Sequence, residues 1–543
     1  MTDLEAAARA WLAADPDPAT RAETQALLDA NDEAGLAVRF GGRLVFGTAG
    51  LRGPLGAGPL RMNRVVVQQT SAGLARFLLA RGGAPSAVVG YDGRHNSKVF
   101  AEDAAAVLAG AGLAVTLLPR ALPTPVLAFA VRDLGVSAGV MITASHNPAP
   151  DNGYKLYLGG ADAGSQLVAP ADQEVLAAIE AVVAEGALPP GGTGVTIAGE
   201  DLLERYVRAT AAVASGTAPA DVTWVYTAMH GVGLETVQRV LPAAGLPAPA
   251  VVPEQAHPDP DFPTAPFPNP EEPGTLDLAF ALAAGTGAEL VLANDPDADR
   301  LAVAIPDGDG WRRLTGNETG LLLAWRIASR SSAAGGALAC SIVSTPGLAR
   351  IADRFGFAAT ETLTGFKWIS RVPGLLFGFE EALGYLVDPD VVRDKDGVSA
   401  LVAVLAAAVE LRAEGRDLAG LLAEIEEAIG RFDSDQVSIR VDDLAELGRM
   451  VDRLREAPPA RIGGLAVESV DDLTAGGDLP PTEGLRYRLA GGARVIVRPS
   501  GTEPKLKVYL DVVSTAPTAV ERRAETNAAL DALGAAVGPL LGV

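Results

Sequence analysis

The segment from residue 86 to residue 142 restricts the fold more than any other part of the chain. Short β-rich apolar runs alternate here with longer helical patterns. The predicted elements are strands at 87–91, 114–118 and 136–142 and helices at 98–110 and 126–134. This β-α-β-α-β alternation predicts a mostly parallel sheet that is covered by helices. The chain is therefore expected to belong to the α/β class.

The string T-A-S-H-N-P follows the last of these strands, at residues 143–148. It places a hydroxyl, an imidazole and an amide on a tight turn closed by proline, which has no N–H and a fixed φ. In an α/β sheet, the loop after the carboxyl end of a strand is where ligands bind. Ser145 is therefore a candidate nucleophile or phosphate carrier, with His146 beside it and Lys155 downstream. An Asx- or ST-type turn without a catalytic role is the alternative.

Length and charge limit the classes of protein that remain. The chain has 543 residues, which suggests three or four domains, and 48% of them are hydrophobic, which is ample for large cores. The formal net charge is −23. A protein that binds a phosphate backbone needs a basic face, so neither nucleic acid nor an anionic membrane is an expected partner. An anionic substrate would need a metal and a few Arg or Lys residues concentrated in one cleft.

Cysteine content and hydropathy indicate the compartment. Cys340 is the one cysteine in the sequence, which excludes an intrachain disulfide, and its apolar surroundings favour a buried structural thiol. The N-terminus is acidic and shows no signal-peptide pattern. The longest apolar stretch, 398–409, is shorter than the ~20 residues that a membrane-spanning helix needs. A cytoplasmic enzyme is the simplest interpretation.

Three aspartates at alternate positions follow a further predicted strand at 289–293. They are Asp295, Asp297 and Asp299. Carboxylates spaced in this way on one turn can converge as hard oxygen ligands for Mg²⁺. An EF-hand loop is excluded, because its sixth position is Arg300 instead of Gly and its twelfth is Pro306 instead of Glu. A solvated acidic turn is the alternative, since aspartate is common in turns.

Two polar turns allow two interpretations each. Asp92 and Arg94 end the first strand of the alternation, where they either support the site or form a structural ion pair. His230 follows a predicted strand at 222–226 and either approaches the site or stabilises its turn. Residues 253–273 contain eight prolines, so they are expected to form a long irregular loop.

The two ends of the chain carry further patterns. Residues 1–40 predict one or two amphipathic helices, and residues 409–432 are predicted to be helical and to lead to the last domain. The string R-P-S-G-T-E-P-K, at 498–505, lies between two β-rich segments. An arginine, two hydroxyls, a turn permitted by glycine and a lysine can form a phosphate-binding nest. A hairpin-like turn is the alternative.

Taken together, these strings resemble the α-D-phosphohexomutases, the phosphoglucomutase/phosphomannomutase superfamily. The resemblance covers residues 46–510 and rests on five strings in family order: F-G-T-A-G-L-R-G at 46–53, T-A-S-H-N-P at 143–148, D-P-D-A-D-R at 295–300, F-E-E-A-L-G-Y at 379–385 and R-P-S-G-T-E-P at 498–504. Pro296 departs from the family, in which glycine is more usual at this position. Alone, the first string would indicate a Gly-rich turn, and the two glutamates of the fourth an exposed helix N-terminus.

The resemblance implies an α/β fold with four domains. Three related α/β/α domains with mixed sheets and a C-terminal α+β domain are expected around a central cleft. The expected boundaries are 1–204, 205–312, 313–432 and 433–543. In this order, the domains are expected to carry the serine loop, the metal loop, the sugar loop and the phosphate loop.

The resemblance also implies roles for individual residues. The implied catalytic residues are Ser145, His146, Arg52, Lys155 and Lys395, of which the serine carries the phosphate. The implied Mg²⁺ ligands are Ser145, through its phosphate, Asp295, Asp297 and Asp299. The implied substrate-binding residues are Thr48, Arg300, Thr364, Gly365, Glu380, Glu381, Arg498, Ser500, Gly501, Thr502 and Lys505.

The implied activity is that of a phosphosugar mutase, which moves a phosphoryl group between C1 and C6 of a hexose phosphate. A sugar bisphosphate is the expected intermediate and activator, and the expected assembly is a monomer or a homodimer. Ala382, where many relatives have serine, and Phe379 resemble the phosphoglucomutase-2 branch, so a phosphopentomutase is the alternative. A metal-dependent phosphatase or a non-catalytic sugar-phosphate sensor is less favoured. A serine hydrolase is weaker still, because no G-x-S-x-G surrounds Ser145.

Overall fold

The computed structural model describes residues 3–45, 50–186, 188–441, 444–477, 479–499 and 505–542. The chain forms two compact units. Unit 1 comprises Met1–Arg313 and Gly384–Ala413, and unit 2 comprises Leu314–Leu383 and Glu414–Val543. Within the described ranges, no helix is long and apolar enough to cross a membrane. The predicted domain boundaries at 204, 312 and 432 stay predictions.

Unit 1 begins with three helices, where the sequence analysis expected one or two. They are α1 (Asp3–Ala14), α2 (Pro18–Asp29) and α3 (Glu33–Phe40). Two aspartates start the second and third helices, because Asp17 accepts a hydrogen bond from Ala19 N and Asp32 one from Gly35 N, each at 2.9 Å. Such N-caps satisfy backbone donors that a helix leaves free at its start.

The first sheet of unit 1 is mixed. Its strands are β1 (Leu51–Pro54), β2 (Ser86–Tyr91), β3 (Ala114–Leu117), β4 (Ala138–Ile142), β5 (Asp151–Leu158), β6 (Ser165–Gln166) and β7 (Val195–Ile197). The order is β1-β5-β4-β2-β3-β7, and β6 pairs with β5. The helices that accompany it are α4 (Arg64–Ala80), α5 (Ser97–Gly110), α6 (Thr124–Asp133) and α7 (Ala171–Glu185). Strands β2, β3, β4 and β7 are parallel, which confirms the predicted α/β pattern.

The register between β4 and β5 places two polar groups at one edge of this sheet. The two strands are antiparallel, and Met141 of β4 pairs with Lys155 of β5. Strand β4 is buried along its whole length, and the serine loop follows its carboxyl end. Lys155 therefore lies beside the loop that carries Ser145, although ten residues separate the two in sequence.

The second sheet of unit 1 contains β8 (Trp224–Thr227), β9 (Ala250–Val251), β10 (Leu290–Asn294), β11 (Leu301–Asp307) and β12 (Gly310–Arg313). The order is β12-β11-β10-β8-β9, with β9, β8 and β10 parallel. Its helices are α8 (Glu200–Ala211), α9 (Gly233–Ala244) and α10 (Asp277–Thr286). Strands β10 and β11 pair directly, Asn294 with Leu301, so residues 295–300 form a compact loop between them.

Unit 1 is completed by a segment from later in the chain, which contains β16 (Gly384–Leu386) and α14 (Gly397–Ala413). Helix α14 is buried on nearly all sides and packs against α8 and α9. A helix that is apolar all round belongs in a core, which accounts for the apolar stretch at 398–409.

Unit 2 contains a parallel sheet and an antiparallel sheet. The parallel strands, in the order β14-β13-β15, are β13 (Ala337–Ser341), β14 (Ala358–Thr362) and β15 (Leu375–Glu380), with α11 (Gly316–Arg330), α12 (Gly347–Phe355), α13 (Phe366–Ile369) and α15 (Leu418–Ile429). The antiparallel strands, in the order β17-β22-β21-β20-β19-β18, are β17 (Arg431–Arg440), β18 (Arg461–Ile462), β19 (Leu465–Asp472), β20 (Leu485–Leu489), β21 (Arg494–Pro499) and β22 (Lys505–Ser514). Helices α16 (Leu444–Glu456) and α17 (Ala519–Leu541) accompany this sheet.

The prediction that residues 409–432 are helical is confirmed for 409–413 and 418–429, but a turn separates the two helices and the end of the segment is a strand. Helix α14 ends at Ala413, and Gly415 has a φ of +73°, a conformation that favours glycine. Asp417 then caps α15 by accepting a hydrogen bond from Gly420 N at 2.7 Å. The last two residues of the predicted helix begin strand β17 instead.

A buried ion cluster joins the two sheets of unit 2. Arg494 of β21 is 4% exposed and donates to Asp511 Oδ2 at 2.9 Å, to Glu361 Oε1 at 2.9 Å and to the Ser344 carbonyl at 2.5 Å. Asp511 lies on β22 and Glu361 on β14. Removal of the guanidinium would leave Asp511 buried without its main partner.

We predict that Arg494→Met lowers the stability of unit 2 by about 3 kcal/mol, because breaking a buried pair leaves an uncompensated charge. The measurement is hydrogen exchange in β21 and β22 as a function of urea. The matched control is Arg488→Met, whose side chain is 52% exposed and 3.4 Å from Asp471. We expect the control to change stability by less than about 1 kcal/mol, and equal losses in both variants would contradict the prediction.

Candidate active site

Ser145 lies in the loop after β4, on a backbone conformation that most residues avoid. Its φ is +52°, in the left-handed region, and the residue is buried. Its N–H donates to Thr143 Oγ1 at 2.8 Å, and Asn147 N–H donates to the Ala144 carbonyl at 3.1 Å. Strained backbone of this kind persists only where the surrounding structure enforces it. The strain in this loop is thus located at the candidate nucleophile.

Arg94 stabilises the backbone of the serine loop through hydrogen bonds. It donates hydrogen bonds to four carbonyl groups of the loop, those of Ser145, Asn147, Pro148 and Asp151. Its Nε lies 3.4 Å from Asp92 Oδ2, and both side chains are buried. Both interpretations from the sequence therefore hold, since Arg94 supports the loop and also pairs with Asp92.

The three aspartates of the β10–β11 loop converge. Asp295, Asp297 and Asp299 are fully buried, and one carboxylate oxygen from each lies within 4.8 Å of the others. Asp295 Oδ2 accepts a hydrogen bond from Ser145 Oγ at 2.8 Å. Thr124 Oγ1 donates to Asp297 Oδ2 at 2.6 Å. The candidate nucleophile on the first sheet thus contacts the acidic loop of the second sheet directly.

Several cations surround this acidic loop. Lys155 Nζ donates to Asp297 Oδ2 at 2.7 Å and to Asp299 Oδ2 at 2.8 Å. Lys395 Nζ lies 3.2 Å from Asp299 Oδ2, and Arg300 Nε lies 3.8 Å from Asp299 Oδ1. Local positive charge is therefore concentrated around the loop, as the sequence analysis required for a chain whose net charge is −23.

Burial and charge shift the pKa values of these groups in opposite directions. Burial, followed by the charges of Asp297 and Asp299, raises the pKa of Asp295 well above its ordinary value. Burial acts in the same direction on Asp299, but Lys155 and Lys395 outweigh it and hold the pKa of Asp299 below its ordinary value. Burial alone would lower the pKa of Lys155, whereas Asp297 and Asp299 raise it overall. Lys155 is therefore an ammonium group and Asp299 a carboxylate.

Two carboxylate oxygens of the loop have no hydrogen-bond donor among the residues that the structure describes. They are Asp297 Oδ1 and Asp299 Oδ1, and both are buried. An unsatisfied buried acceptor is costly, and carboxylate oxygens are the ligands that hard divalent cations prefer. The acidic triad therefore suits a metal ion, with Ser145 Oγ next to it. A solvated acidic turn, the alternative from the sequence, is wrong because all three side chains are buried.

His146, in the serine loop, and Arg52, on strand β1, both lie close to Ser145 in the fold. His146 Nδ1 lies 3.2 Å from Ser145 Oγ. Burial, followed by the charges of Arg300 and Arg52, lowers the pKa of His146 well below its ordinary value, so its imidazole is neutral at pH 7. Arg52 Nη1 donates to Asn147 Oδ1 at 2.8 Å, which places the guanidinium beside the serine loop.

Sequence reasoning missed two residues of this site, Asp394 and Thr124. Asp394 accepts hydrogen bonds from Tyr157 Oη at 2.8 Å, from Gln166 Nε2 at 2.6 Å and from Lys395 N–H at 2.8 Å, so it fixes the lysine. Thr124 begins α6, at the same sheet edge as the serine loop. Its position after the loop that follows β3 was a usable signal, because that edge is where ligands bind.

Two glycines let other backbone segments approach the acidic loop. A Cβ on Gly397, at the start of α14, would lie 2.3 Å from the Arg300 carbonyl oxygen. A Cβ on Gly231 would lie 2.3 Å from Pro296 Cα. Real side chains do not tolerate such distances, so only glycine permits this packing.

His230 belongs to the turn that contacts the acidic loop. Its N–H donates to the Gln255 carbonyl at 3.1 Å, and its Nε2 lies 2.8 Å from Thr264 Oγ1. Its φ of +59°, its burial and these hydrogen bonds fit a residue that stabilises the turn, and the turn itself lies against the acidic loop, so both interpretations from the sequence stay open.

Unit 2 brings together several of the predicted sugar-binding and phosphate-binding residues. Glu380 Oε1 accepts a hydrogen bond from Gly365 N at 2.6 Å, and Thr364 Oγ1 accepts one from Arg498 Nη1 at 2.5 Å. Glu380 ends strand β15, so the helix N-terminus that the sequence allowed is wrong. The two glutamates therefore lie on a strand end and its turn.

Glu381 is held by two serines of unit 2. Its Oε2 accepts hydrogen bonds from Ser341 Oγ at 3.1 Å and from Ser344 Oγ at 3.0 Å. Its own N–H donates to Ser344 Oγ at 3.1 Å. A Cβ on Gly316 would lie 1.8 Å from the Glu381 carbonyl oxygen, so the turn is also confined by backbone packing.

Phe379, one of the two departures from the family pattern, faces the core. It is fully buried, its ring centroid lies 5.9 Å from that of Phe377, and its ring fills the space next to Gly320 of α11. Successive side chains of a strand point to opposite faces, so Glu380 lies on the other face. Ala382 is therefore the departure that removes a hydroxyl from the turn.

Four predicted site residues, Thr48, Ser500, Gly501 and Thr502, lie outside the described residues. Lys505 is described and begins strand β22, where it pairs with Arg440 of β17.

Four family models match the chain in succession. They are phosphoglucomutase/phosphomannomutase alpha/beta/alpha domain I at 43–185, domain II at 204–308, domain III at 315–428 and the C-terminal domain at 437–529. The chain belongs to the phosphoglucomutase/phosphomannomutase family, and it is an enzyme of the phosphosugar mutase class.

Individual relatives agree with this assignment. The chain is 50% identical to a probable phosphomannomutase of Haemophilus influenzae over 85% of this chain and 95% of the relative. It is 36% identical to the phosphopentomutase of Mus musculus over 92% of this chain and 89% of the relative. Among solved structures, a putative phosphomannomutase from Thermus thermophilus aligns with a TM-score of 0.68 at 28% identity, over 90% of this chain and 99% of that chain.

We predict that a divalent cation stabilises the folded chain through the acidic triad, because a ligand that binds the folded state alone shifts the unfolding equilibrium. At a cation concentration ~100 times the Kd, the gain is about 2.7 kcal/mol. The measurement is the thermal unfolding midpoint with and without MgCl2. Asp297→Asn is expected to abolish the rise.

The control for this experiment is Asp307→Asn, at the exposed end of β11. It removes a carboxylate from the same hairpin and is expected to keep the full rise. A midpoint of the unaltered chain that MgCl2 leaves unchanged would contradict the metal site.

Proposed function

We propose that this enzyme moves a phosphoryl group between C1 and C6 of a hexose phosphate, with Ser145 as the group that carries the phosphate. The observation that carries the proposal is the hydrogen bond from Ser145 Oγ to Asp295 Oδ2 at 2.8 Å. It places a hydroxyl on a strained loop, against a buried acidic triad with two unsatisfied oxygens in the described part of the chain. Phosphoryl transfer depends mainly on such positioning and on charge neutralisation.

A bound Mg²⁺, held by Asp295, Asp297, Asp299 and a phosphoserine oxygen, would neutralise charge on the transferring group. Lys155 keeps two of these carboxylates in place through its ammonium group. Arg52 and Arg300 are proposed to stabilise the negative charge on the transferring phosphoryl group as well.

His146 is the proposed carrier of the proton at Ser145 Oγ. When Ser145 Oγ takes a phosphoryl group from a sugar bisphosphate, Oγ loses its proton to the neutral imidazole, and the sugar oxygen that leaves takes up a proton from solvent. When the phosphoserine gives the phosphoryl group to a sugar hydroxyl, the imidazolium returns its proton to Oγ and the hydroxyl proton goes to solvent. The neutral Nδ1 of His146 lies 3.2 Å from Oγ, within reach for general acid–base chemistry. The other two candidates, Lys155 and Lys395, direct their ammonium groups to Asp299.

Sugar and phosphate recognition is assigned to residues of unit 2 and of the N-terminal string. Glu380 and Glu381 are proposed to accept hydrogen bonds from sugar hydroxyls, and a carboxylate can do so for a bisphosphate in either orientation. The remaining proposed contacts to the substrate and its phosphate are Thr48, Thr364, Gly365, Arg498, Ser500, Gly501, Thr502 and Lys505. A sugar bisphosphate is the proposed intermediate and activator.

Hexose is favoured as the substrate because the chain is 50% identical in sequence to a probable phosphomannomutase. A specific observation keeps phosphopentomutase as a second candidate. The turn after Glu381 lacks a hydroxyl at Ala382, and a relative over most of the chain is named phosphopentomutase. A cytoplasmic location and a monomeric or homodimeric assembly stay predictions.

Replacement of Ser145 tests the phosphoserine. Ser145→Ala is expected to lower the rate of isomerisation at least about a thousand-fold, because it removes the covalent step. Intact-mass spectrometry of the unaltered enzyme, treated with glucose 1,6-bisphosphate, is expected to show one phosphoryl group that the variant lacks. The matched control is Ser137→Ala, at the other end of β4, whose hydroxyl accepts a hydrogen bond from Ser86 N. Full activity of Ser145→Ala would exclude the mechanism.

The sugar preference is tested with glucose, mannose and ribose 1-phosphates. We expect kcat/KM with Mg²⁺ and a trace of bisphosphate to be about tenfold or more higher for a hexose than for the pentose, which corresponds to ~1.4 kcal/mol in the transition state. A preference for ribose 1-phosphate would favour the second candidate. Steady release of inorganic phosphate without isomerisation would indicate a phosphatase instead.

A further inference from the structure

The proline-rich segment, residues 253–273, contacts the serine loop although the mechanism above assigns it no role. It lies in unit 1, between β9 and α10. Its base is tied to the second sheet, because Thr227 Oγ1 of β8 donates to Gln255 Oε1 at 2.5 Å and Gln255 Nε2 donates to Thr264 Oγ1 at 2.9 Å. Asp259 N–H donates to the His230 carbonyl at 3.0 Å. These hydrogen bonds fix the first part of the segment to strand β8 and to the turn that follows it.

The first contact to the serine loop runs through Phe262. This side chain is 2% exposed, and its ring centroid lies 4.9 Å from Arg94 Cζ. A cation–π contact is strongest when both partners are shielded from water, as they are here. Arg94 is the residue that holds four carbonyl groups of the serine loop. Phe262 also has a φ of +45°, a conformation that its surroundings must enforce.

The second contact runs through Phe267. Its ring centroid lies 6.4 Å from that of His146, at an interplanar angle of 54°. The same imidazole places Nδ1 at 3.2 Å from Ser145 Oγ. Pro266 and Pro268 flank the phenylalanine and restrict its backbone. Phe267 is 37% exposed, but the two prolines restrict its backbone and so limit the positions of its ring relative to the imidazole.

A third contact, at the surface, is made by the residue immediately before Phe262. Asp261 Oδ1 lies 2.7 Å from Nε2 of His95, the residue after Arg94. Three side chains of one short segment thus reach the two stretches of chain that shape the serine loop. A solvated connection between β9 and α10 would not need any of them.

We propose that the proline-rich segment braces the nucleophile, and that Phe262 and Phe267 are positioning residues for Ser145 that act through Arg94 and His146. This inference rests on the proposed function, since positioning matters for catalysis only if Ser145 takes part in phosphoryl transfer. The acidic loop and the proline-rich segment both connect to strands of the second sheet. Ser145 is therefore positioned relative to Asp295 by their direct hydrogen bond and also by the contacts of the proline-rich segment. Small misplacements of reacting groups cost large factors in rate.

The test compares Phe262→Leu and Phe267→Leu with two matched controls. Phe77→Leu removes a cation–π contact to a half-exposed arginine, 4.2 Å from Arg81 Cζ, and Phe280→Leu removes a stacked pair whose ring centroids lie 6.1 Å apart, with Trp311. Both controls lie in unit 1 away from the serine loop. We expect kcat and the rate of Ser145 phosphorylation to fall about tenfold in the two test variants, with KM for the sugar phosphate unchanged. The controls are expected to keep kcat.

Two further readouts separate positioning from a general loss of structure. Hydrogen exchange at residues 143–153 is expected to accelerate in both test variants and in neither control. Phe267→Tyr is expected to restore kcat, because the aromatic ring is kept and the exposed site accommodates the hydroxyl. If Phe262→Leu does not fold, the exposed Phe267 still provides the test.

Failure of the inference and failure of the proposed function give different results. If the unaltered enzyme is active, and both test variants keep their kcat and their hydrogen-exchange rates, the proposed positioning role is wrong. Equal losses of kcat in the controls would also contradict it. An unaltered enzyme that does not isomerise phosphosugars would overturn the proposed function. In that case, exchange at 143–153 still decides whether the segment braces the loop.

Discussion

Three buried carboxylates on one short loop repel one another, and the charge compensation they require is the constraint on which unit 1 depends. Lys155 supplies it from β5, and Lys395 supplies it from the loop before α14. Both lysines are in turn fixed, the first by the register of β5 against β4 and the second by Asp394. Like charges in a low-dielectric site are tolerated only with such partners, and the two oxygens that remain unsatisfied in the described part of the chain favour the binding of a cation.

The serine loop is organised against this acidic loop. The backbone at Ser145 has a strained, left-handed conformation, which Arg94 stabilises by donating a hydrogen bond to the Ser145 carbonyl. Asp295 accepts a hydrogen bond from the serine hydroxyl. The two glutamates proposed for sugar recognition lie in unit 2, where Glu381 accepts hydrogen bonds from two serine hydroxyls. In both units, the polar groups are oriented by hydrogen bonds within the protein, so substrate binding need not order them, which favours catalysis by positioning.

The sequence predicted the local features of the site and missed those that tertiary contacts create. Ser145 and the aspartate triad could be found because strand ends and alternate carboxylates are visible in the sequence. The position of Thr124 at the carboxyl edge of the sheet was a usable signal, but its contact with Asp297 was not predictable, because the two residues lie far apart along the chain. Asp394 gave no such signal, because its role depends on the distant Tyr157. The α/β pattern was predictable from its periodicity, whereas the break within the helical segment 409–432 was not, because a glycine turn and a new N-cap interrupt a continuous helical pattern. Phe379 shows the same limit, since only the structure reveals that it faces the core.

Whether Ser145 carries the phosphoryl group can be measured by transfer of label from a radiolabelled sugar bisphosphate. The enzyme is incubated with labelled glucose 1,6-bisphosphate and quenched, and the labelled peptide is mapped. We expect the label on Ser145 alone, and we expect it to return to the sugar when unlabelled hexose monophosphate is added. Label that appears only as inorganic phosphate, or on a residue other than Ser145, would contradict this role of Ser145.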